Sequence, residues 1–150
     1  MLASLLFAGC SGDSSRPKDL PPLFPAEITI TQQGTPLAGA TVALVAFGGT
    51  SSVYYPAGIT DESGKAVIST YGFNGAPAGT YKVTVRKTIV DDVKKVIDAY
   101  GDMVDGIGIE YRTVERQYSD AETTPHEIEI VGKSTPPALF DVGKPVKIKK

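Results

Sequence analysis

The sequence is poor in the residues that build metal sites and cofactor pockets. Its 150 residues include one cysteine, one histidine and no tryptophan. One histidine and one cysteine cannot assemble the nitrogen and sulfur ligands of a zinc site, so we expect no metal and no cofactor. The net charge of -2 argues against nucleic acid as a partner, because nucleic-acid-binding proteins present a basic face. No apolar run approaches the length of a transmembrane helix.

Turn-forming residues are abundant instead. The chain has 16 glycines and 11 prolines, with 41% apolar and 21% charged residues, which is ordinary for a soluble globular protein apart from the many turns. A chain of this length can bury a core and has room for one domain plus a tail. The composition therefore predicts a single domain of short strands.

The cysteine, Cys10, predicts the compartment. It follows a short apolar run, residues 2–8, and small residues precede it, as in the lipobox of bacterial lipoproteins. Phe7 stands where leucine is commonest, and no Lys or Arg precedes the apolar run, a departure that a start codon placed too late would explain. We expect residues 1–9 to be the remnant of a signal peptide and Cys10 to be acylated. The alternative is an ordinary N-terminus with a free or buried thiol.

Residues 10–25 are rich in serine, proline and charge, which predicts a lipidated tether and linker between the membrane and the domain. The domain is expected to cover residues 26–150. This places the protein in the bacterial cell envelope, lipid-anchored and either periplasmic or surface-exposed.

Alternating apolar and polar residues predict short strands along the rest of the chain. The turn at 61–65 predicts a hairpin over residues 59–69, in which Gly64 takes the left-handed position. The predicted strands cover residues 26–31, 41–47, 81–85, 109–118, 127–131 and 145–150. About seven strands with frequent turns indicate an all-β fold, an antiparallel Ig-like or prealbumin-like β-sandwich.

One segment departs from the two-residue period. Within residues 91–101, four apolar residues recur at i, i+3, i+4 and i+7, opposite charges are spaced four apart, and Gly101 offers a stop. The pattern predicts one short amphipathic helix, which makes residues 88–117 a helical insertion in the sandwich. So short a helix is marginal alone and is expected to dock on the sandwich or on a partner.

Three motifs in order, GTPLAGATVALV, GITDESGKAVIST and GAPAGTYKVTV, resemble the carboxypeptidase regulatory-like family of prealbumin-like β-sandwich modules, in the form found in bacterial surface lipoproteins. The resemblance covers about residues 26–86, and residues 118–125 are similar to the closing segment of that family. Residues 88–117 depart from it. Because the matched residues of this family are structural, the resemblance implies a non-catalytic module and transfers no active site.

Three groups of residues suggest chemistry, and each has a structural alternative. The turn at Asp61 offers two carboxylates to calcium, but it lacks the alternating acidic residues of a calcium loop and favours a plain hairpin turn. The aspartates of residues 91–105 fit helix capping and a solvated face. His126 could centre a cryptic hydrolase, although no nucleophile-elbow motif accompanies it.

Four aromatic residues in or beside loops are candidates for binding, namely Tyr54, Tyr55, Tyr71 and Phe73. Loops at one end of a sandwich are common recognition surfaces, and exposed tyrosines stack on sugar rings or anchor protein partners. Packing in the core or at its rim is the alternative for each of them.

The sequence thus predicts a non-enzymatic envelope lipoprotein, a membrane-tethered sandwich that is a structural module or binds a protein or another ligand. Its expected partners are the membrane, through the N-terminal lipid, and an envelope protein or glycan. Two alternatives stay open: a carbohydrate-binding module of a polysaccharide-uptake system, and a hydrolase centred on His126.

Overall fold

A computed structural model describes residues 16–133 and 135–150, so the predictions for residues 1–15, including acylation of Cys10, lie outside the described residues. Nearly all of the regular secondary structure there is β-strand, with one single-turn helix, which confirms the all-β fold. The elements in chain order are β1 (Leu23–Phe24), β2 (Glu27–Gln32), β3 (Thr35–Pro36), β4 (Thr41–Ala46), β5 (Ala57–Ile59), β6 (Lys65–Val67), β7 (Ser69–Thr70), β8 (Phe73–Asn74), β9 (Ala76–Pro77), β10 (Gly79–Arg86), β11 (Thr88–Asp91), β12 (Lys95–Ile97), β13 (Met103–Asp105), β14 (Ile109–Arg112), α1 (Arg116–Ser119), β15 (Glu127–Ile130), β16 (Ala138–Asp141) and β17 (Ile148–Lys149).

Two sheets form the sandwich. The larger has the order β15-β10-β4-β5-β7-β8, and the smaller has β16-β2-β3 with β6 also paired to β2. All strand pairs of the two sheets are antiparallel except β16 with β2, which is parallel. The parallel pair arises because the chain leaves the larger sheet after β15 and crosses to the smaller one.

The core lies between these sheets and matches the predicted alternation. Ile28 and Ile30 of β2, Val83 and Val85 of β10 and Ile130 of β15 are all buried. The strand over residues 41–47 is central, as predicted, since β4 lies between β10 and β5. Its sequence is apolar on both faces, but Val45 is exposed because only one face of the sheet packs against the core.

The hairpin predicted over residues 59–69 is present but bent. The amide of Asp61 donates to the carbonyl of Lys65 over 2.9 Å, and Ala57 pairs with Ser69. Between these points the returning strand, β6, pairs instead with β2 of the other sheet. The hairpin is therefore a corner that joins the two sheets.

Contacts with the sandwich are already present in the segment before residue 26. Leu20 is buried, and β1 pairs with β9. The hydroxyl of Tyr54 also donates to the carbonyl of Asp19 over 2.8 Å. Residues 19–25 of the predicted linker are thus packed on the end of the sandwich.

The helix predicted over residues 91–101 is wrong. These residues form β12 and its turn within a β-hairpin, and the one helix of the described part, α1, is a single turn at Arg116–Ser119. Valine, isoleucine and aspartate are poor helix formers, and the β-branched residues favour strands. Among the described residues β12 is exposed throughout, so a helix here would gain no burial to offset its poor propensity, and the extended form with its cross-strand bonds prevails.

Asp141 joins β16 to the β2–β3 turn. Its carboxylate accepts hydrogen bonds from the hydroxyl of Thr31 at 2.8 Å and from the amides of Gly34 at 2.9 Å and Gly143 at 2.8 Å. The bond from the Gly34 amide is the largest of the effects that lower the pKa of Asp141. The ionised carboxylate thus fastens the only parallel strand pair among the described residues.

The hydrogen bonds to the Asp141 carboxylate predict a loss of stability in acid. A carboxyl with a lowered pKa in the folded state stabilises the fold above its unfolded pKa of about 4, and that contribution disappears as the pH falls through the folded pKa. Asp141→Asn should lower the free energy of unfolding by about 1–2 kcal/mol at pH 7 and flatten its dependence on pH below about 4. Urea unfolding between pH 2 and 7 measures both, with Glu62→Gln as control. An unchanged acid limb in Asp141→Asn would assign the pH dependence to other carboxylates.

Candidate functional site

A long β-hairpin projects from the sandwich where β10 ends. We call residues 88–112 the β-arm. At its base β11 pairs with β14, and further out β12 pairs with β13 in the same register, so that Thr88 faces Arg112 and Ile97 faces Met103. Between the two ladders, residues 92–94 and 106–108 leave the strand conformation, with a φ of 54° at Asp92. The amide of Gly106 donates to the carbonyl of Lys94 over 2.9 Å and bridges this segment. The β-arm is therefore two β-ladders in one register, joined by an irregular segment.

A compact aspartate turn closes the tip of the β-arm. The amide of Asp98 donates to the carbonyl of Asp102 over 2.9 Å, and the Asp98 carboxylate accepts from the amides of Tyr100 and Asp102, both at 2.9 Å. Gly101 has a φ of 86°, a conformation that glycine adopts readily. The glycine expected to stop a helix instead shapes a hairpin turn.

The β-arm carries an unusual share of the exposed apolar surface. Tyr100 is 91% exposed at the tip, and Ile107 is 99% exposed on the returning side. All residues of β12 and β13 are exposed. The exposed large apolar side chains of the β-arm are Val90, Val93, Val96, Ile97, Tyr100, Met103, Val104 and Ile107. Exposed apolar patches mark interaction sites, so the concentration of these side chains makes the β-arm a candidate contact surface.

Charged residues accompany this surface. The β-arm has five aspartates between residues 91 and 105 but only two lysines there, Lys94 and Lys95. Lys95 pairs with Asp105 across the two strands. The rim of the apolar surface is therefore acidic.

The base of the β-arm is fastened to the C-terminal strand. β17 pairs with β14, which confirms the predicted terminal edge strand. The Lys147 ammonium lies 2.7 Å from an Asp91 carboxylate oxygen and 4.4 Å from the ring centroid of Tyr111. The hydrogen bond between Lys147 and Asp91 lowers the pKa of Asp91 and raises that of Lys147. The Tyr111 hydroxyl donates to the carboxylate of Asp92, and this bond raises the pKa of Tyr111. The base is thus a defined structure from which the apolar ribbon extends.

Two of the four candidate aromatic residues contact each other. Tyr54 and Tyr71 are arranged edge to face, with ring centroids 6.2 Å apart and planes at 66°. Both hydroxyls donate to backbone carbonyls, of Asp19 and Val53 respectively, over 2.8 Å. Tyr54 also lines an apolar groove of about 480 Å³ between the linker and the end of the sandwich. Rings at this angle do not form a flat platform for a sugar.

The other two candidates lie apart from this ring pair. Tyr55 is 73% exposed, and among the described residues it stacks on no other ring. Phe73 is half-buried, and the guanidinium of Arg16 lies 6.0 Å from its ring centroid. The structure thus brings together Tyr54 and Tyr71 but does not assemble all four residues into one ring cluster.

His126 is part of the packing between the sheets. Its ring stacks on Tyr118 with centroids 5.3 Å apart and lies 4.8 Å from Phe140. Its Nε2 lies 2.8 Å from the carbonyl oxygen of Asp141, to which it donates. Within the described ranges, no hydroxyl or carboxylate side chain hydrogen-bonds this ring.

The Asp61 turn is held by its own atoms. One carboxylate oxygen of Asp61 accepts from the amides of Ser63 and Lys65 and from the hydroxyl of Ser63, at 2.7 to 3.0 Å. The Ser63 hydroxyl contributes most to the lowered pKa of Asp61. In residues 16–133 and 135–150, no group of three or more His, Cys, Asp or Glu side chains is placed to hold a metal ion.

The same part of the chain contains no helix long and apolar enough to cross a membrane. Comparison of the chain with family models, with curated proteins and with solved structures finds no match.

The sequence predicted β14, within the strand expected over residues 109–118, but it did not predict β11, β12 and β13, although residues 88–117 were expected to be an insertion. Two local signals could have found them. Val90, Val93, Val96 and Ile97 are β-branched, and the sequence Asp98 to Asp102 contains an aspartate and a glycine at the spacing of a tight turn.

Proposed function

We propose that this protein is a non-enzymatic module of the bacterial cell envelope, held on the membrane by acylated Cys10, that binds a partner protein through the β-arm. The observation that supports it best is the exposed apolar surface of the β-arm, defined above.

The sandwich does not need this surface for its own stability. The buried core lies between the two large sheets, and all side chains of β12 and β13 are outside it. A two-stranded ribbon alone is marginal in water, so side chains that are apolar here cost solubility without contributing to a core. A partner that covers the ribbon would bury them, and each large side chain buried contributes about 1.5–3 kcal/mol before the costs of association.

The charge of the β-arm favours a protein over a membrane surface as its partner. Five aspartates against two lysines would be repelled by anionic headgroups. A protein surface with an apolar strip and basic rim residues would match both the side chains and the charges. The partner we propose is a protein of that chemistry.

Two further observations support a binding module over an enzyme. His126, the proposed centre of a hydrolase, is stacked between Tyr118 and Phe140 and donates to a backbone carbonyl. The resemblance to carboxypeptidase regulatory-like domains covers residues 26–86 and implies a structural frame. The β-arm lies within the segment that departs from that resemblance, which is where a property specific to this protein is expected.

Site-specific photo-cross-linking in the native envelope tests the proposal. A photoreactive amino acid at Ile97 or Ile107 should give one discrete cross-linked protein, because both side chains are exposed on the β-arm. Leu139, which is 65% exposed on β16, is the matched control and should give none. Equal cross-linking at Leu139 and Ile97 would assign the contact to the sandwich, and cross-links to lipid alone at Ile97 would reject a protein partner.

A further inference from the structure

A basic cleft lies where the β-arm joins the sandwich, and it is separate from the apolar surface proposed to bind protein. Its volume is about 360 Å³. We define the basic cleft by its lining residues, which are Arg86, Lys87, Thr88, Arg112, Arg116, Ser119, Asp120 and Lys150. Five of these side chains are cationic and one is a carboxylate, although the chain as a whole has 17 acidic and 15 basic residues. The fold has concentrated a third of its positive charges in one place.

Three elements position the three arginines of the basic cleft. Arg86 ends β10, Arg112 ends β14 beside Thr88, and Arg116 begins α1. The Nε and Nη2 atoms of Arg86 donate to the carbonyl of Ser119 over 3.1 and 2.9 Å. This bidentate bond holds one guanidinium in place through the backbone, so Arg86 is oriented before any ligand arrives.

The guanidinium of Arg112 has an unmet bonding requirement. Its Nε is buried and, among the described residues, has no hydrogen-bond acceptor. Buried polar groups are nearly always hydrogen-bonded, and a charged donor in a partly dry site attracts an acceptor more strongly than one in water. An anion in the basic cleft would provide this acceptor and offset the repulsion among the cations.

We propose that the basic cleft binds a phosphate monoester. Guanidinium groups present paired donors that match the oxygens of a phosphate, and several of them together suit a dianion better than a single carboxylate. The phosphate could belong to a soluble sugar phosphate or to a lipid headgroup, which share this chemistry. The site is independent of the contact proposed for the β-arm.

Calorimetric titration of the full chain carrying Cys10→Ser with inorganic phosphate and with a hexose phosphate tests this site. The unphosphorylated hexose serves as the ligand control. Arg112→Gln and Arg116→Gln should each raise the Kd at least about tenfold, because each removes charge-assisted bonds to the phosphate. Lys133→Gln, outside the basic cleft, should leave the Kd within about twofold, as expected for a distant surface charge. Circular dichroism confirms that the variants are folded.

Sedimentation with vesicles distinguishes the two sources. Binding to phosphatidic acid but not phosphatidylcholine vesicles, lost in Arg112→Gln, would assign a lipid headgroup. Binding of hexose phosphate without vesicle binding would assign a soluble ligand. Absence of saturable binding to every phosphate probe, or unchanged binding in both folded arginine variants, would overturn the proposal.

Discussion

Gly64→Ala is expected to lower the free energy of unfolding by at least about 3 kcal/mol, because it adds a steric clash to left-handed strain. Gly64 has a φ of 78°, and a Cβ there would lie 2.5 Å from the Ile30 carbonyl oxygen and 3.2 Å from the Leu37 amide nitrogen. Both atoms belong to the backbone, and the Leu37 amide donates to the Ile30 carbonyl over 3.0 Å, so neither can move aside without disturbing that hydrogen bond. The amide of Ile30 also donates to the carbonyl of Gly64 over 2.7 Å. The substitution therefore acts on the corner that joins the two sheets.

Gly34→Ala provides a control with the same backbone conformation. Its φ is 79°, yet a Cβ at Gly34 would meet no atom within 4 Å. The free energy of unfolding of this variant should fall only by the cost of the left-handed backbone conformation, about 1–2 kcal/mol. Urea unfolding of both variants separates strain from clash. Equal losses at Gly34 and Gly64 would contradict the close approach of the Gly64 backbone to the Ile30 carbonyl.

Removal of the outer β-arm is expected to abolish partner binding while leaving the sandwich stable. In the trimmed variant, residues 92–108 are replaced by Asn-Gly, which joins Asp91 directly to its strand partner Ile109 through a two-residue hairpin turn. The free energy of unfolding should change by less than about 1 kcal/mol, because the removed side chains are almost all exposed and a free ribbon adds little stability. Urea unfolding checks this before any binding measurement.

The sandwich was predictable because its signals are local. Alternation places Ile28, Ile30, Val83 and Val85 on one face of each strand wherever the partner strand comes from, and the structure buries all four. The turn at Gly64 was likewise recognisable from its residues. The sequence could not predict which sheet each strand joins, because β6 pairs with β2 and β16 runs parallel to β2 through contacts distant in sequence.

The β-arm was not predictable from spacing alone. Val93, Val96, Ile97 and Tyr100 fit one face of a helix, and the same residues also fit a ribbon whose two faces are both apolar. The choice depends on whether a surface exists to cover the helix, which is a property of the whole fold. It was decided by the register that continues from β11 and β14 into β12 and β13.

The basic cleft had no signal in the sequence. Arg86, Arg112, Arg116 and Lys150 are separated along a chain of nearly balanced charge, and acidic residues lie near most of them in sequence. They meet only because β10, β14, α1 and the C-terminal end converge at the base of the β-arm. The four candidate aromatic residues are the opposite example. They are close in sequence, but only Tyr54 and Tyr71 come into ring contact in the fold.

The affinity of the trimmed variant for the protein identified by cross-linking at Ile97 decides whether the β-arm is the contact surface. Surface plasmon resonance with the purified partner compares the affinity of the trimmed variant with that of the complete chain and that of the Gly34→Ala variant, whose β-arm is intact. We expect the trimmed variant to show no binding and Gly34→Ala to bind as the complete chain does. Binding of the trimmed variant with unchanged affinity would show that the partner contacts the sandwich and not the outer β-arm.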